Sequence, residues 1–259
     1  MSLIKLLDLK GRVALVTGGS RGLGLQMAEV LGELGAKVAI TARKQHELDA
    51  AAAHLKSQGI EALAVPGDVG DLAAIPALVD RVVQTLGPID ILVNNAGVTW
   101  GAPTVDHPLD AWNKVMTVNV TALFALTQEV GRRCMVPRKS GKVINIASIQ
   151  GLTGSYPDGM PTLAYNASKG AVVNLTRTLA NEWGPLGINV NAIAPGFFPT
   201  KMTAAISARL GGEAGEEMSP MRRVGGPEDL KGATALFASD ACGFITGQIL
   251  AVDGGVTAV

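Results

Sequence analysis

Tyr165-Asn166-Ala167-Ser168-Lys169, with Ser148 upstream at the end of an apolar run, holds the residue types needed to move a proton on and off an oxygen atom. Residues four apart lie on one face of a helix, so Tyr165 and Lys169 are expected to be neighbours. Free phenols and amines both lose their protons only well above neutrality. An ammonium beside a phenol favours the phenolate, so Lys169 is expected to lower the pKa of Tyr165 toward working pH. Ser148 adds a hydroxyl that can reach the same substrate oxygen. Such a set suits the interconversion of an alcohol and a carbonyl. A serine-hydrolase reading does not fit, because Ala147-Ser148-Ile149-Gln150-Gly151 is not a nucleophile elbow and no histidine follows in a suitable place.

These side chains need a frame, and the hydropathy pattern supplies one. Short β-branched runs at Val13–Thr17, Lys37–Thr41, Ala62–Val65, Ile89–Val93, Lys142–Ala147, Asn189–Ile193 and Gln248–Val252 alternate with helical stretches such as Leu23–Leu34, His46–Ser57 and Leu163–Trp183. Continuous apolar strands between helices predict an α/β fold, a doubly wound seven-stranded parallel sheet with helices on both faces. A length of 259 residues suits one such domain spanning 1–259, and no linker or repeat divides it. The formal net charge is +0, which argues against a nucleic-acid footprint. No apolar run has membrane-spanning length and no signal-peptide pattern is present, so a cytoplasmic location and no membrane partner are expected. Cys134 and Cys242 read as inert buried thiols. His46, His54 and His107 show no metal-ligand spacing, and no metal is expected. Arg132-Arg133 and Arg138-Lys139 read as solvated residues at helix ends and turns.

The first strand runs into Thr17-Gly18-Gly19-Ser20-Arg21-Gly22-Leu23-Gly24, and a helical pattern follows. Strand, glycine turn and helix start together form a place for a pyrophosphate against free backbone N–H groups. Gly18 would make the turn, Gly22 would admit the phosphate and Gly24 would let helix and strand approach. The spacing is G-x-x-x-G-x-G, which departs from the G-x-G-x-x-G fingerprint. An NAD site needs an acid roughly 20 residues past the glycines to hold the adenosine ribose diol. Here the second strand ends Thr41-Ala42-Arg43-Lys44. Arg43 at that place, with Arg21 inside the glycine turn, suits a phosphate dianion rather than a diol. NADP(H) is therefore the expected cofactor, with NAD(H) as a second possibility.

In order and spacing, Thr17–Gly24, Asp68-Val69, Asn94-Asn95-Ala96-Gly97, Asn119, Ser148, Tyr165 with Lys169, and Pro195-Gly196 resemble the short-chain dehydrogenase/reductase family, from Leu9 to the last strand. The resemblance implies a compact Rossmann fold with residues 9–97 mainly binding cofactor and 98–259 forming a catalytic half. A substrate lid would span about residues 197–226. It implies Asn119, Ser148, Tyr165 and Lys169 as catalytic residues. Gly18, Ser20, Arg21, Gly22, Leu23, Gly24 and Arg43 would hold the phosphates, and Asp68 and Val69 the adenine. Asn95, Ala96 and Gly97 would line the cofactor. Tyr165 and Lys169 would face its ribose. Pro195, Gly196, Phe198 and Thr200 would lie at its carboxamide end. Asn119 would bend its helix and hold a water that extends a proton relay. A homotetramer is implied, built on the helices around Trp112–Arg132 and Leu163–Trp183 and on the last strand.

The chain departs from the family pattern in three places. Ser148 and Tyr165 are a few residues farther apart than usual, with the insertion placed near Tyr156-Pro157-Asp158-Gly159. Phe198 stands where an aliphatic residue is usual. Leu186 replaces an arginine common in reductases that take carrier-protein substrates, although Lys139 keeps a base at a second docking position. Trp100, Phe197, Phe198 and Met202 either form an apolar substrate wall or pack the lid or a subunit contact, and Tyr156 in the inserted loop either contacts substrate or packs as an aromatic. The chain looks most like bacterial 3-oxoacyl reductases over Gly97–Pro103 and Ile188–Thr203, and like gluconate 5-dehydrogenases around its second strand. The expected activity is NADPH-dependent reduction of a ketone, with a 3-oxoacyl thioester on carrier protein or coenzyme A placed first and a sugar acid or polyol second. A non-catalytic dinucleotide-binding regulator is the contrasting class.

Overall fold

A computed structural model of the chain describes residues 1–154, 161–201, 203 and 219–258. The seven apolar runs become strands β1 (Val13–Thr17), β2 (Lys37–Ala42), β3 (Ala62–Pro66), β4 (Ile91–Asn94), β5 (Gly141–Ile146), β6 (Ile188–Pro195) and β7 (Ile249–Val252). They form a single seven-stranded sheet in the order β3-β2-β1-β4-β5-β6-β7, and every pairing is parallel. The chain winds outward from β1 in one direction, then returns through β4 in the other. Between β1 and β4 the connections leave on opposite faces, which opens a crevice above the strand ends. The register brings Val16 beside Val93, Asn94 beside Asn145, and Ile146 beside Ile193. Gly18, Asn95, Ser148 and Gly196, each just past a strand, therefore share one edge of the sheet.

Both faces are covered, which explains why the strands read as unbroken apolar runs rather than alternating ones. Ala14, Val16, Val38, Ile40, Val93, Ile144 and Ile193 pack against Met27, Leu31, Leu48 and Phe237. The alternate residues Val13, Leu15, Ala39, Leu92, Val143 and Val190 pack on the other side against Val79, Val82, Leu126, Leu179 and Trp183. The helices that supply these residues are α2 (Gly22–Glu33), α3 (Gln45–Ser57), α4 (Ile75–Leu86), α6 (Ala122–Val130), α7 (Leu163–Trp183) and α8 (Lys231–Ala238), and α5 (Leu109–Met116) precedes α6. A short N-terminal helix, α1 (Leu3–Leu7), lies at the bottom of the sheet and has no buried residue.

Two stretches of five residues interrupt the α5–α6 region with wide turns of π type, Thr117–Thr121 and Gly131–Met135. The second sits where Gly131 lets the Trp183 ring approach, since a Cβ at Gly131 would lie 2.5 Å from that ring. Cys134 and Cys242 are buried and free. The surface arginines are more engaged than expected. Arg133 pairs with Asp80 and Glu129, and Arg138 bonds Asp90 Oδ1 at 2.7 Å and the Cys134 and Ile89 carbonyls at 2.6 and 2.8 Å. His54, although exposed, joins Glu29 at 2.7 Å and so ties α3 to α2. The bonds to Asp80, Asp90 and Glu29 link residues far apart in sequence, so spacing along one helix could not reveal them.

The closest approach to backbone in the cofactor half is at Gly24, where a Cβ would lie 2.3 Å from the Gly18 carbonyl oxygen and 2.5 Å from Asn95 Nδ2. Backbone cannot retreat as a flexible side chain can. Gly24→Ala is expected to destabilise the chain by about 3 kcal/mol, read from urea unfolding. Gly232, in the first turn of α8, has nothing within 4 Å of its built Cβ. Gly232→Ala should raise stability by about 0.5–1 kcal/mol in the same assay.

Candidate active site

Ser148 follows β5 in extended conformation and caps a 3₁₀ turn, Ile149–Gly151, by accepting the Gln150 N–H at 3.2 Å. That turn is pressed against α7. A Cβ at Gly151 would lie 2.5 Å from the Lys169 carbonyl carbon and 2.7 Å from its oxygen. Glycine at 151 is thus what brings Ser148 to the face of α7 that carries Tyr165, a requirement not recognised from sequence. The Tyr165 hydroxyl comes near enough to Ser148 for that hydroxyl to lower the phenol pKa. Tyr165 stays partly open to solvent, while Ser148 is buried.

Lys169 is 4% exposed, and its Nζ donates to the Ile146 carbonyl at the end of β5 at 2.6 Å. The ammonium lies 5.5 Å from the centre of the Tyr165 ring. Burial lowers the Lys169 pKa to about 8. The expectation that Lys169 depresses the tyrosine pKa needs correction for this structure. Burial raises the phenol pKa, and the Ser148 hydroxyl opposes the rise without cancelling it. The ammonium is directed at a backbone carbonyl rather than at the phenol oxygen, so desolvation prevails.

Asn119 sits inside the first wide turn and is 1% exposed. Its amide accepts the Val98 N–H and donates to the Val98 carbonyl, each at 2.9 Å, and also donates to Ser168 Oγ at 2.9 Å. The Ser168 hydroxyl in turn donates to the Tyr165 carbonyl at 2.7 Å. Asn119 therefore ties the strand end to α7. A Cβ at Gly97 would lie 3.4 Å from Asn119 Oδ1 and 3.7 Å from Lys169 Nζ, so these three positions meet around one small space.

On the other side of the crevice the glycine turn has the expected form. Gly18 and Gly22 have φ of +64° and +53°, a region that favours glycine. Asn95 Nδ2 donates to the Thr17 and Gly18 carbonyls at 2.8 and 3.2 Å, and Thr17 Oγ1 accepts the N–H groups of Asn95 and Ala96 at 3.0 Å. The start of α2 has no side-chain cap, which leaves its first N–H groups for an anion. The open face of Gly22 looks at Thr200, whose Cγ2 lies 3.6 Å from a built Cβ. Ser20 is buried in the turn and Leu23 is partly buried. This cradle fits the diphosphate of a dinucleotide. Gly18 and Gly19 both donate to the Thr41 carbonyl, so the end of β2 lies against the turn. Arg43 there is exposed, while Arg21 bonds Glu47 Oε1 at 2.8 Å. Asp68 closes a local turn onto the Gly70 N–H at 2.9 Å, and Asp68 and Val69 line a hollow of about 190 Å³ beside β3.

At the end of β6, Pro195 is buried and Gly196 lies so close to Asp253 that a Cβ would be 2.7 Å from its Cα. Thr200 accepts and donates within a turn that closes on Thr203. Phe198 does not face the crevice as expected. Its ring is 4% exposed in the main core, against Gly225, where any Cβ would strike it at 2.4 Å. An aromatic ring at this place fills the space beneath the segment rather than lining it. Phe197 is partly buried and Trp100 is half exposed near the mouth. Tyr156, Met202, the Tyr156–Gly159 insertion and most of the expected lid lie outside the described residues. Among the described residues no group of His, Cys, Asp and Glu is arranged to hold a metal ion, and no helix is long and apolar enough to cross a membrane.

A family model described as enoyl-(acyl carrier protein) reductase matches residues 18–257. Gluconate 5-dehydrogenase of Gluconobacter oxydans is 40% identical, covering 99% of both chains. The rhamnolipid-biosynthesis 3-oxoacyl-[acyl-carrier-protein] reductase of Pseudomonas aeruginosa is 39% identical over 96% of this chain and 97% of its own. Among solved structures, a gluconate 5-dehydrogenase from Burkholderia cenocepacia in complex with NADP and tartrate superposes with a TM-score of 0.92 at 36% identity, covering 100% of both chains.

The buried ammonium carries a measurable stability signature. The Lys169 pKa is lowered from 10.5 to about 8, so the unfolded chain holds more protons than the folded one between those values. Folding then gains stability as pH rises through that window, and below it the full cost of the buried charge remains. Lys169→Met removes this term. Its unfolding free energy relative to the unaltered chain should fall by about 3 kcal/mol between pH 7 and 10.5 in denaturant titrations. A pH-independent difference would show that Lys169 is not desolvated.

Proposed function

Since the chain belongs to the short-chain dehydrogenase/reductase family, we propose that it is an NADP(H)-dependent oxidoreductase that interconverts a hydroxyl and a ketone on a gluconate-type sugar acid. The observation that carries the reaction class is Ser148 brought by the Gly151 turn onto the face of α7 that carries Tyr165 and a buried Lys169. Bound nicotinamide dinucleotide supplies or accepts the hydride. In reduction Tyr165 gives its proton to the carbonyl oxygen as negative charge builds there, and in oxidation the phenolate takes the hydroxyl proton. Ser148 holds the same oxygen by a hydrogen bond. Lys169 provides positive charge near the phenol and faces the dinucleotide ribose. Asn119 positions α7 through Ser168 and Val98. The raised phenol pKa suits Tyr165 as an acid in the reductive direction.

Gly18, Ser20, Gly22, Leu23 and Gly24 form the diphosphate cradle, and Arg21 and Arg43 hold the phosphate on the adenosine ribose. Asp68 and Val69 receive the adenine, and Asn95, Ala96 and Gly97 line the crevice. Pro195, Gly196 and Thr200 receive the carboxamide, with the backbone rather than the ring of Phe198 contributing. NADP in the Burkholderia cenocepacia structure supports the cofactor choice.

For the substrate, the relatives favour a sugar acid over the 3-oxoacyl thioester that the sequence placed first. Beside the Gluconobacter oxydans protein, 5-keto-D-gluconate 5-reductase of Escherichia coli K12 is 40% identical over 97% of both chains. Identity alone separates these narrowly from the acyl reductase. A second feature points the same way. Leu186 packs partly buried against the core beside Ile188, so of the two docking positions only Lys139 is left to meet a carrier protein's phosphates and acids. A homotetramer fits the exposed apolar residues Leu109, Phe124, Leu163 and Leu250 on α5, α6, α7 and β7.

With NADPH and 5-ketogluconate, or NADP and gluconate, absorbance at the nicotinamide band should change, and acetoacetyl thioesters should react more slowly. Faster turnover of the thioesters would overturn the substrate assignment. Tyr165→Phe is expected to lose about 10³-fold or more in kcat/KM while retaining NADPH binding by fluorescence titration. Light scattering at micromolar concentration should give the mass of four chains, and a monomer would contradict the assembly.

A further inference from the structure

Around the rim of the glycine turn the structure gathers four cations and one acid. Arg21 precedes α2, Arg43 and Lys44 follow β2, Lys201 follows Thr200, and Glu47 lies in the first turn of α3. Glu47 is the group that Arg21 and Lys44 meet. Its Oε1 accepts Arg21 NH1 at 2.8 Å and lies 3.4 Å from Lys44 Nζ. Its side chain is only 19% exposed, against 50% for Arg21 and 52% for Lys44. Burial pushes the carboxyl pKa up, but Arg21, Lys44 and Lys201 together hold it below its ordinary value. Glu47 is therefore ionised across the working range of the protein.

Arg21 thus faces two anions, the Glu47 carboxylate and the phosphate on the adenosine ribose. A guanidinium can bridge both only if the two anions come close to each other, and like charges oppose that. We propose that Glu47 is a specificity-determining residue, an internal counter-anion that competes for Arg21 and so moderates the preference for the phosphorylated dinucleotide while leaving the unphosphorylated one usable. This inference rests on the NADP(H) reading above. Arg43 is not bonded to Glu47 and remains the free arm for the phosphate. Because the pair is partly exposed, the competition weakens as salt rises.

The test uses the full chain and two fragments that lack nicotinamide, 2′,5′-ADP and 5′-AMP, with dissociation constants from calorimetry. Unaltered protein should bind 2′,5′-ADP more tightly than 5′-AMP. Glu47→Gln keeps the shape and removes the charge. It should tighten 2′,5′-ADP about five- to tenfold at low salt and leave 5′-AMP within about twofold, the gain shrinking in about 0.5 M salt. In an Arg21→Ala background most of that gain should vanish. Unchanged or weaker 2′,5′-ADP binding by Glu47→Gln would overturn the proposal, as would a full gain in the Arg21→Ala background. If unaltered protein binds the two fragments equally, the NADP(H) reading itself fails. Far-ultraviolet dichroism and melting temperature of each variant, matched to the unaltered chain, tie these outcomes to charge rather than to folding.

Discussion

The site depends on how α7 is fastened to the end of β5. Lys169 Nζ reaches the Ile146 carbonyl, and Gly151 lets the turn after Ser148 lie directly on the helix backbone. A buried ammonium without a partner would be driven to neutrality or out to solvent. The free carbonyl at the strand end gives it a reason to stay. That bond, with the Gly151 contact and the Asn119 link to Ser168, holds the face of α7 that carries Tyr165 toward Ser148. With the Lys169 pKa lowered to about 8, the arrangement costs stability at neutral pH, as groups at functional sites often do.

The cofactor side is held by a different device. Asn95 and Thr17 saturate the backbone groups left free where β1 and β4 end, so the glycine turn keeps its shape with no side chain of its own. Gly24 then lets α2 approach to within contact of that turn. The two halves of the site are joined through Asn119, whose amide reaches both Val98 and Ser168. Positioning thus passes through side-chain amides at strand ends, where water would otherwise compete for the backbone.

The parts legible in the sequence were those set by local pattern. The strand runs lie within a few residues of their observed bounds, and α7 spans Leu163–Trp183 as the pattern predicts. Ser148, Tyr165 and Lys169 meet because strand end and helix face are both local properties. What escaped was decided by contacts across the fold. The sign of the Tyr165 shift depends on how much protein surrounds the ring, which no spacing reveals. Phe198 turned inward because Gly225, far along the chain, leaves room for its ring. Arg21 and Glu47 are separated by 26 residues, and only the fold shows that one holds the other. Leu186 was legible as a missing cation, whereas its packing against the core was not.

The wide turn at Thr117–Thr121 has a consequence for how this chain can vary. Such a turn holds one residue more than an ordinary helical turn would. Everything beyond it is rotated by about 100° relative to an uninterrupted helix. Leu126 and Val130 reach the core on α6 only with that rotation in place. Regular winding of the same residues, with none lost, would swing both leucine and valine away from that core. The bend that aims Asn119 at the strand end is therefore also a phase correction for the hydrophobic stripe that follows, and the two cannot be changed separately.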